Sequence, residues 1–156
     1  MKFDEPQALS AVAEFHKMFN LPVNNRPVIP NDDRCRLRIN LLEEELHELK
    51  SAVEKKDLVA VADAFCDLQY VLSGAILEFG LGEKFKSLFD EVQRSNMSKV
   101  CHSIEEAEET IEYYRSERQM EGTIVEQDAK FLVFRQSDGK VLKSVNYSEA
   151  DLKSII

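Results

Sequence analysis

The sequence of 156 residues is short of cysteine and of positive charge, and both shortages narrow the classes of protein it can represent. Cys35, Cys66 and Cys101 are widely spaced and form no CxxC pair, so neither a disulfide framework nor a zinc site is indicated. Lysine and arginine number 20 against 29 acidic residues, for a net charge of -9. Such a chain repels a phosphate backbone, so no nucleic-acid partner is expected.

The sequence also gives no reason to expect a secretory signal or a membrane-spanning segment. The stretch MKFDEPQALS has no basic segment followed by an apolar run, so no secretory signal is expected and the expected compartment is the cytoplasm. Residues 58–77 approach membrane-spanning length, but Asp63 and Asp67 lie in the middle of this segment. Two central aspartates make insertion costly, so no membrane partner is expected. No repeat and no low-complexity tract is visible.

The first hundred residues have the apolar spacing of helices. Helices are predicted over residues 4–19, from a cap at Asp32 or Asp33 to about Lys55, over 58–77 and over 82–93. The fold class predicted is all-α, with a four-helix core forming one domain over residues 1–100.

The pattern changes in the last third of the chain, which is predicted to be a C-terminal extension over residues 101–156. Ser103 and Glu106 have the spacing of a capping box that opens a charged helix. Two β-rich runs then flank a turn at Asp138–Gly139, which predicts a hairpin. The final SEADLKSII is predicted to form a short helix.

Acidic residues concentrate on the second predicted helix. On a helical wheel, one apolar arc is expected to face the core, comprising Ile39, Leu42, Leu46, Leu49 and Val53. Glu44, Glu45 and Glu48 lie beside that arc, within one turn of one another. A Glu-rich helix surface usually faces water, so this cluster alone does not indicate a site.

The third predicted helix makes the acidic pattern informative. Asp63 and Asp67 are the only charges between Leu58 and Leu77. A short connection predicts an antiparallel hairpin, which would bring these aspartates level with the glutamates. Carboxylates gathered in a groove repel one another unless a hard divalent cation such as Mg²⁺ binds them.

Two alternatives compete with a magnesium site. Each aspartate could pair with an arginine of the Arg34–Arg36–Arg38 run or cap a neighbouring backbone. A diiron site would need a Glu-x-x-His motif on each of two helices; His47 completes one such motif, but the third helix contains no histidine.

The segments LLEEELHEL and VADAFCDLQYVLSG resemble the all-α nucleoside triphosphate pyrophosphohydrolases, which include MazG-like enzymes, phosphoribosyl-ATP pyrophosphohydrolases and dimeric dUTPases. The family pattern is ExxE on one helix and ExxD on the next. Glu45 and Glu48 match the first pair and Asp67 matches the final Asp. Ala64 occupies the position of the family's second-helix Glu, and Asp63 is the candidate replacement. The resemblance extends over residues 15–99, including SNMSK.

The resemblance implies cleavage between the α- and β-phosphates of a nucleoside triphosphate, to give a monophosphate and pyrophosphate. It implies that Mg²⁺, or Mn²⁺ in its place, binds Glu45, Glu48, Asp63 and Asp67. Glu44, or Glu45 or Glu48, would orient or deprotonate the attacking water. Asn96 and Lys99 would contact phosphate or sugar.

The resemblance also implies a homodimer or homotetramer and, within the family, a dUTP-like substrate, although base and sugar stay open. Two other functions remain possible at this stage: a non-enzymatic helical module that dimerises or binds a partner, and a metal-storage bundle.

Overall fold

A computed structural model of the chain describes residues 2–156. Within them the chain forms five α-helices, one 3₁₀ turn and one two-stranded sheet, divided between two compact units. The first unit ends at Phe85 and the second begins at Lys86. The helical fold class is confirmed, but the first unit holds three α-helices, so the four-helix core and the boundary near residue 100 stay predictions.

The helices and strands have the following bounds. The first unit contains α1 (Ala8–Met18), α2 (Asp32–Glu54), α3 (Leu58–Glu78) and the 3₁₀ turn (Gly82–Lys84). The helix α4 (Phe85–Met97) begins at the boundary, and the second unit continues with α5 (Ile104–Arg118), β1 (Gly122–Gln127) and β2 (Lys130–Arg135). The helix α4 is displaced from the predicted 82–93, because residues 82–84 form the 3₁₀ turn and residues 94–97 form its last turn instead of a loop.

The caps explain where the helices of the first unit begin. Asn31 caps α2, because its side-chain oxygen accepts the Arg34 N–H at 3.0 Å, and the predicted caps at Asp32 and Asp33 are wrong by one or two residues. Asp57 caps α3 by accepting two backbone N–H groups at 3.0 and 3.1 Å. The helix α1 begins at Ala8 instead of Asp4, consistent with the resistance of Pro6 and its preceding residue to helical geometry.

The end of α3 anchors the loop that follows α1. Gly80 has φ +68, and a Cβ at this position would lie 1.8 Å from the Arg26 carbonyl oxygen, so only glycine fits. The Val28 N–H donates to the Phe79 carbonyl at 3.0 Å. The Asn24 N–H donates to the Leu77 carbonyl, also at 3.0 Å. The proline-containing loop is therefore ordered against α3.

The predicted core face of α2 is correct only in part, because Leu42 and Leu49 are half-buried but the other three residues of the arc are exposed. Ile39, Leu46 and Val53 are 55%, 43% and 57% exposed, whereas Arg38 and Ala52 are buried. The helix packs against α3 through the strip that contains Arg38 and Ala52, one residue before the predicted arc. The reason is that Arg38 pairs with Glu78 on α3, which fixes the rotation of α2.

The hairpin forms at a different place from the one predicted. Strand β1 pairs with β2 in antiparallel register from Gly122↔Arg135 to Gln127↔Lys130. The connecting residues Asp128 and Ala129 both have positive φ, the geometry of a type I′ turn. The Asp138–Gly139 turn also exists, but the run after it contributes only an isolated bridge between Phe134 and Val141.

The second unit has its own apolar core, formed by α5, the hairpin and neighbouring segments and comprising Cys101, Ala107, Val133 and Leu142. The capping box is confirmed at Ser103, whose hydroxyl accepts the Glu106 N–H at 3.2 Å, although Glu106 in turn accepts from the His102 N–H. The predicted final helix is wrong, because residues 148–156 form only a turn. Hydrogen bonds from Arg94 to the Glu149 carbonyl and from the Asp151 N–H to Glu91, each 2.9 Å, attach that segment to α4 instead.

Candidate functional site

The antiparallel pair α2–α3 brings the predicted acidic residues to the same level. A Cβ at Gly74 would lie 2.8 Å from Arg38 Nη1, so these two positions face each other. Glu45 follows Arg38 by two helical turns, and Asp67 precedes Gly74 by the same two turns. Packing in opposite directions therefore places Glu45 opposite Asp67, as the sequence predicts for the acidic groups.

The hairpin also has two chemically different sides. The Arg38–Glu78 ion pair and the buried Ala52 and Ala64 mark the packing strip of each helix. Glu45 on α2 and Val71 on α3 lie seven residues from these positions and so belong to the same strips. At 100° per residue, Glu44, Glu48, Asp63 and Asp67 are all rotated backwards from those strips, by about 60–100°. In an antiparallel pair that rotation turns them to a shared side. We call these four residues and Glu45 the acidic set.

Electrostatic coupling within the acidic set is concentrated on Glu45. Partial burial, followed by repulsion from the carboxylates of Asp67, Glu48, Glu44 and Asp63, raises the pKa of the Glu45 carboxyl above its ordinary value. All four other members of the set therefore lie close enough to act on it. Of the five, Glu45 and Asp67 are half-buried and the others are exposed.

In the part of the chain that the structure describes, no arginine or lysine forms an ion pair with these carboxylates. Across residues 2–156, none of the five forms an ion pair. Arg34 and Arg38 both bind Glu78, and Arg36 binds Asp33. The alternative in which these arginines pair with Asp63 or Asp67 is therefore wrong.

The acidic set suits a hard divalent cation in its chemistry, since it offers carboxylate oxygens without histidine or thiolate. In the side-chain positions that the structure gives to residues 2–156, no three His, Cys, Asp or Glu side chains converge closely enough to hold a metal ion. The helix positions and the electrostatic coupling bring the five residues together, but their side-chain oxygens do not converge on one point. The assignment of metal ligands therefore stays a prediction.

The departure from the family pattern at Ala64 has a structural counterpart. Ala64 is 3% exposed and lies in the strip of α3 that faces α2, whereas Asp63 beside it is exposed. A carboxylate at position 64 would be buried between the helices at a high desolvation cost. Asp63 is the neighbouring carboxylate that remains accessible.

Asn96 and Lys99 lie in the second unit, at the end of α4 and just beyond it. Lys99 Nζ donates to Asn96 Oδ1 at 2.7 Å, so the two side chains form a pair of their own. Lys99 is half-buried and Asn96 is exposed. Their predicted contact with substrate stays a prediction.

A buried polar network in the first unit was missed by sequence reasoning. Glu78 is fully buried and accepts hydrogen bonds from Arg34 and Arg38. Arg38 also donates to His16 Nε2 at 3.2 Å, and His16 Nδ1 donates to the Pro22 carbonyl at 2.9 Å. The available signal was two arginines four residues apart on α2 and a lone glutamate at the end of the apolar α3.

A small apolar cleft of about 280 Å³ lies between α1 and α3, with Val12, Cys66 and Tyr70 among its lining residues. The Tyr70 ring meets Phe15 edge-on at a centroid distance of 5.6 Å. Tyr70 therefore both packs within the unit and borders a space on the helix that carries Asp63 and Asp67.

The fold and the acidic set define a helical hairpin that groups carboxylates without basic partners. A family model described as phosphoribosyl-ATP pyrophosphohydrolase matches residues 12–96, just over half of the chain. The chain belongs to this family, which confirms the resemblance and assigns it, at family level, to hydrolases with a pyrophosphohydrolase-type activity. The uncharacterized protein L479 of Acanthamoeba polyphaga mimivirus is 23% identical, over 86% of this chain and 89% of that protein.

The family also bears on the apolarity of α3. In residues 2–156, α3 is the one helix long and apolar enough to cross a membrane by length and composition. It lies inside the family match and packs along α2. Of its most apolar window, 28% is buried, and a single helix of this length and composition is weak evidence for a membrane span.

Proposed function

We propose that the chain is a Mg²⁺-dependent nucleoside triphosphate pyrophosphohydrolase that cleaves between the α- and β-phosphates and releases a monophosphate and pyrophosphate. The observation that carries the proposal is the coupling of Glu45 to four other carboxylates without a basic partner in residues 2–156. Such an arrangement is unfavourable in isolation and becomes favourable when a divalent cation binds. The family match supplies the class of reaction.

Glu45, Glu48, Asp63 and Asp67 would hold Mg²⁺, with Mn²⁺ as a substitute. The bound ion would screen the triphosphate charge and lower the pKa of a coordinated water. The chain's own contribution is to bring carboxylates from two helices to one level of the hairpin. The exposed members of the set can change rotamer at little cost to reach a shared ion.

Glu44 is proposed as the residue that orients or deprotonates the attacking water, with Glu45 or Glu48 as substitutes. Glu44 is exposed, lies one turn before Glu48 and forms no ion pair within residues 2–156. A carboxylate with free lone pairs can accept the proton of a water held near the phosphate. Asn96 and Lys99 are proposed as contacts to phosphate or sugar, a role that rests on the family pattern alone.

The proposed substrate is a pyrimidine deoxynucleotide such as dUTP, and the proposed role is house-cleaning or control of a nucleotide pool in the cytoplasm. Among the family branches, the DAFCDLQYVLSG helix is most similar to that of the dimeric dUTPases. Phosphoribosyl-ATP is the competing substrate, since the matching family model carries its name.

We also propose that two copies of the chain associate through one side of the hairpin, as a homodimer or within a homotetramer. Ile39, Leu46 and Val53 are exposed at intervals of seven residues on α2. Leu58, Phe65 and Leu72, exposed by 79%, 57% and 41%, have the same interval on α3. These two sets, here called the apolar stripes, follow the packing strips by one residue, so both turn to the side opposite the acidic set.

A second copy is the occupant that suits the apolar stripes best. A spacing of seven residues on two neighbouring helices is the pattern by which helical hairpins pair into four-helix bundles. Pairing of two hairpins would also complete a four-helix core that neither unit contains alone.

The activity is tested by measuring pyrophosphate release from NTPs, dNTPs and phosphoribosyl-ATP with and without Mg²⁺. We expect Mg²⁺-dependent turnover of one substrate class, and a loss of at least about 100-fold in kcat/KM for Glu48→Gln and for Asp67→Asn. The matched control is Glu43→Gln, an exposed glutamate on α2 that does not contribute to the shift at Glu45. Unchanged turnover in the first two variants would refute the site assignment.

A non-enzymatic module that dimerises or binds a partner is the alternative function, and buried Ala64 at the family's Glu position favours it. The two functions differ in thermal melting. An enzyme of the proposed type is stabilised by a nucleotide together with Mg²⁺, because ligand binding to the folded state raises the melting temperature. If no nucleotide in the panel shifts the transition and none is turned over, the alternative replaces the proposal.

A further inference from the structure

The second unit contains a cleft of about 780 Å³, of whose lining residues only Lys99 has a role in the function proposed above. Five basic side chains line it: Lys99, Arg118, Arg135, Lys140 and Lys143. One acidic side chain, Glu149, joins them. The whole chain has 20 lysines and arginines against 29 acidic residues, so a quarter of its cations border one cleft of an acidic protein. We call it the basic cleft.

Most of these cations have no carboxylate partner. Arg135 binds Asp138, and its charge is therefore already balanced. Arg118, Lys140 and Lys143 form no ion pair within residues 2–156, and Lys99 donates to a neutral amide. Lys140 lies close enough to Asp138 for its charge to help lower the pKa of that carboxyl, so Arg118, Lys143 and Lys99 are the cations without a nearby carboxylate partner. Unbalanced cations that share a cleft attract an anion that can contact several of them at once.

The walls of the basic cleft also contain three tyrosines whose positions are fixed by other contacts. The Tyr147 and Ser95 hydroxyls are hydrogen-bonded at 2.9 Å, and Lys143 Nζ lies 4.0 Å above the Tyr147 ring. The Tyr114 hydroxyl accepts the Lys143 backbone N–H at 3.2 Å. Tyr113 packs edge-on against Tyr114, and the residue is 43% exposed. An exposed aromatic face beside cations can stack on a planar ring of a ligand.

The volume of the basic cleft and the net charge of the chain together indicate the class of ligand. A volume of about 780 Å³ lies in the range of small-molecule sites, about 300–1,000 Å³. The net charge of -9 disfavours a long polyanion such as a nucleic acid. Phosphate groups of a ligand can form ionic contacts with the cations of the cleft, and a nucleotide base can stack on the ring of the exposed Tyr113.

We propose that the basic cleft of the second unit binds a nucleoside phosphate without a metal ion. This site differs in principle from the acidic set, which can hold phosphates only through a divalent cation. It does not depend on the proposed hydrolase activity, and it lies in residues 99–149, beyond the family match.

The test is calorimetric titration of the full chain in EDTA, which removes any metal-dependent binding. The probes are inorganic phosphate, adenosine, AMP, ATP and a single-stranded DNA 12-mer. We expect ATP and AMP to bind with a Kd of about 0.1 mM, and at least about tenfold tighter than either phosphate or adenosine. Absence of ATP binding up to about 5 mM, or tighter binding of the DNA 12-mer than of ATP, would overturn the proposal.

Paired variants locate the binding. The double variant Arg118→Gln/Lys140→Gln removes two exposed cations of the cleft, and we expect its Kd for ATP to rise at least about tenfold. The matched control Lys130→Gln/Lys153→Gln removes the same charge from two exposed lysines outside the cleft and is expected to change Kd by less than about twofold. An equal loss in both double variants would show nonspecific attraction and overturn the proposal.

The single variant Tyr113→Leu tests the aromatic contact separately. We expect it to reduce the preference for AMP over inorganic phosphate, while phosphate binding itself stays unchanged. A preserved preference would contradict stacking on this ring. Because Tyr113 and both replaced cations are exposed, the folded state of each variant can be verified by its unaltered circular dichroism.

Discussion

Glu45 is the residue at which the electrostatics of the acidic set can be measured. Its raised pKa means that the folded state binds this proton more tightly than the unfolded state does. Stability should therefore fall as the pH rises from the ordinary glutamate value through the raised one. At pH 7 without metal, we expect Glu45→Gln to stabilise the chain by a few tenths of a kcal/mol per like-charged pair removed.

The same substitution should have the opposite effect once Mg²⁺ is present, because it removes a predicted ligand. Urea unfolding in EDTA and in Mg²⁺ with substrate analogue measures both effects. Glu43→Gln is the control, with a change below about 0.5 kcal/mol in either condition. A Glu45→Gln chain that is less stable in EDTA than the wild type would contradict the repulsion inferred here.

The pKa of Glu78 is shifted in the opposite direction to that of Glu45. Burial raises its pKa, but the hydrogen bonds and charges of Arg34 and Arg38 outweigh burial, so the net pKa lies below the ordinary value. The contribution of Glu78 to stability is thus complete above the ordinary glutamate pKa and is lost as the pH falls through the lowered one. We therefore expect acid to remove the stabilising contribution of the Glu78 carboxylate.

We expect Glu78→Gln to destabilise the first unit by about 3–5 kcal/mol at pH 7, because it leaves a buried arginine without its counter-charge. The loss should shrink in acid, where the wild-type carboxylate is also protonated. Glu83→Gln, at an exposed position of the same unit, should change stability by less than about 0.5 kcal/mol. Urea unfolding monitored at pH 7 and pH 3 tests both the size and the pH dependence.

At the scale of elements, the Asp128–Ala129 connection determines the hairpin. Both residues have positive φ, which aspartate tolerates and alanine resists. Ala129→Gly should therefore stabilise the second unit by about 0.5–1 kcal/mol. Ala150→Gly, at a position without positive φ, should give no gain. A loss of stability in Ala129→Gly during urea unfolding would show that this turn is not strained.

Elements differed in how far the sequence could predict them. The helices α2 and α3 follow from long apolar segments with helical periodicity, and their antiparallel pairing follows from the short connection. The hairpin was misplaced because Asp138–Gly139 is the stronger local turn signal, whereas Asp128–Ala129 has no glycine. Local turn chemistry cannot reveal that β2 pairs with the segment before it.

The candidate site was predictable at the level of helix faces and no further. Spacing and the short connection placed the glutamates of α2 level with Asp63 and Asp67 on α3. They could not show that Arg38 points into the interior and thereby rotates Ile39, Leu46 and Val53 to the surface. A charged residue on a helix is usually exposed, and the buried Glu78 that holds Arg38 lies 40 residues away in sequence.

For the whole molecule, the apolar stripes predict self-association. We expect the wild-type chain to sediment as a dimer or tetramer at micromolar concentration, with a melting temperature that rises with protein concentration. The double variant Leu46→Asp/Phe65→Asp introduces one charge into each stripe and should be monomeric. Val125→Asp, at an exposed position of the second unit that is 44% accessible, is the control and should leave the oligomer intact. A monomeric wild type at about 100 µM would contradict the proposed pairing.

The hydrogen bonds that attach residues 148–151 to α4 and Ser98 have a consequence for folding during biosynthesis. Ser98 accepts the Ser148 N–H, and Arg94 and Glu91 hold Glu149 and Asp151. The second unit can complete these bonds only when translation has passed Asp151 and the segment has left the ribosome. The Arg38–Glu78 bond of the first unit needs nothing beyond residue 78. A nascent chain should thus acquire protease resistance in its first half well before its second.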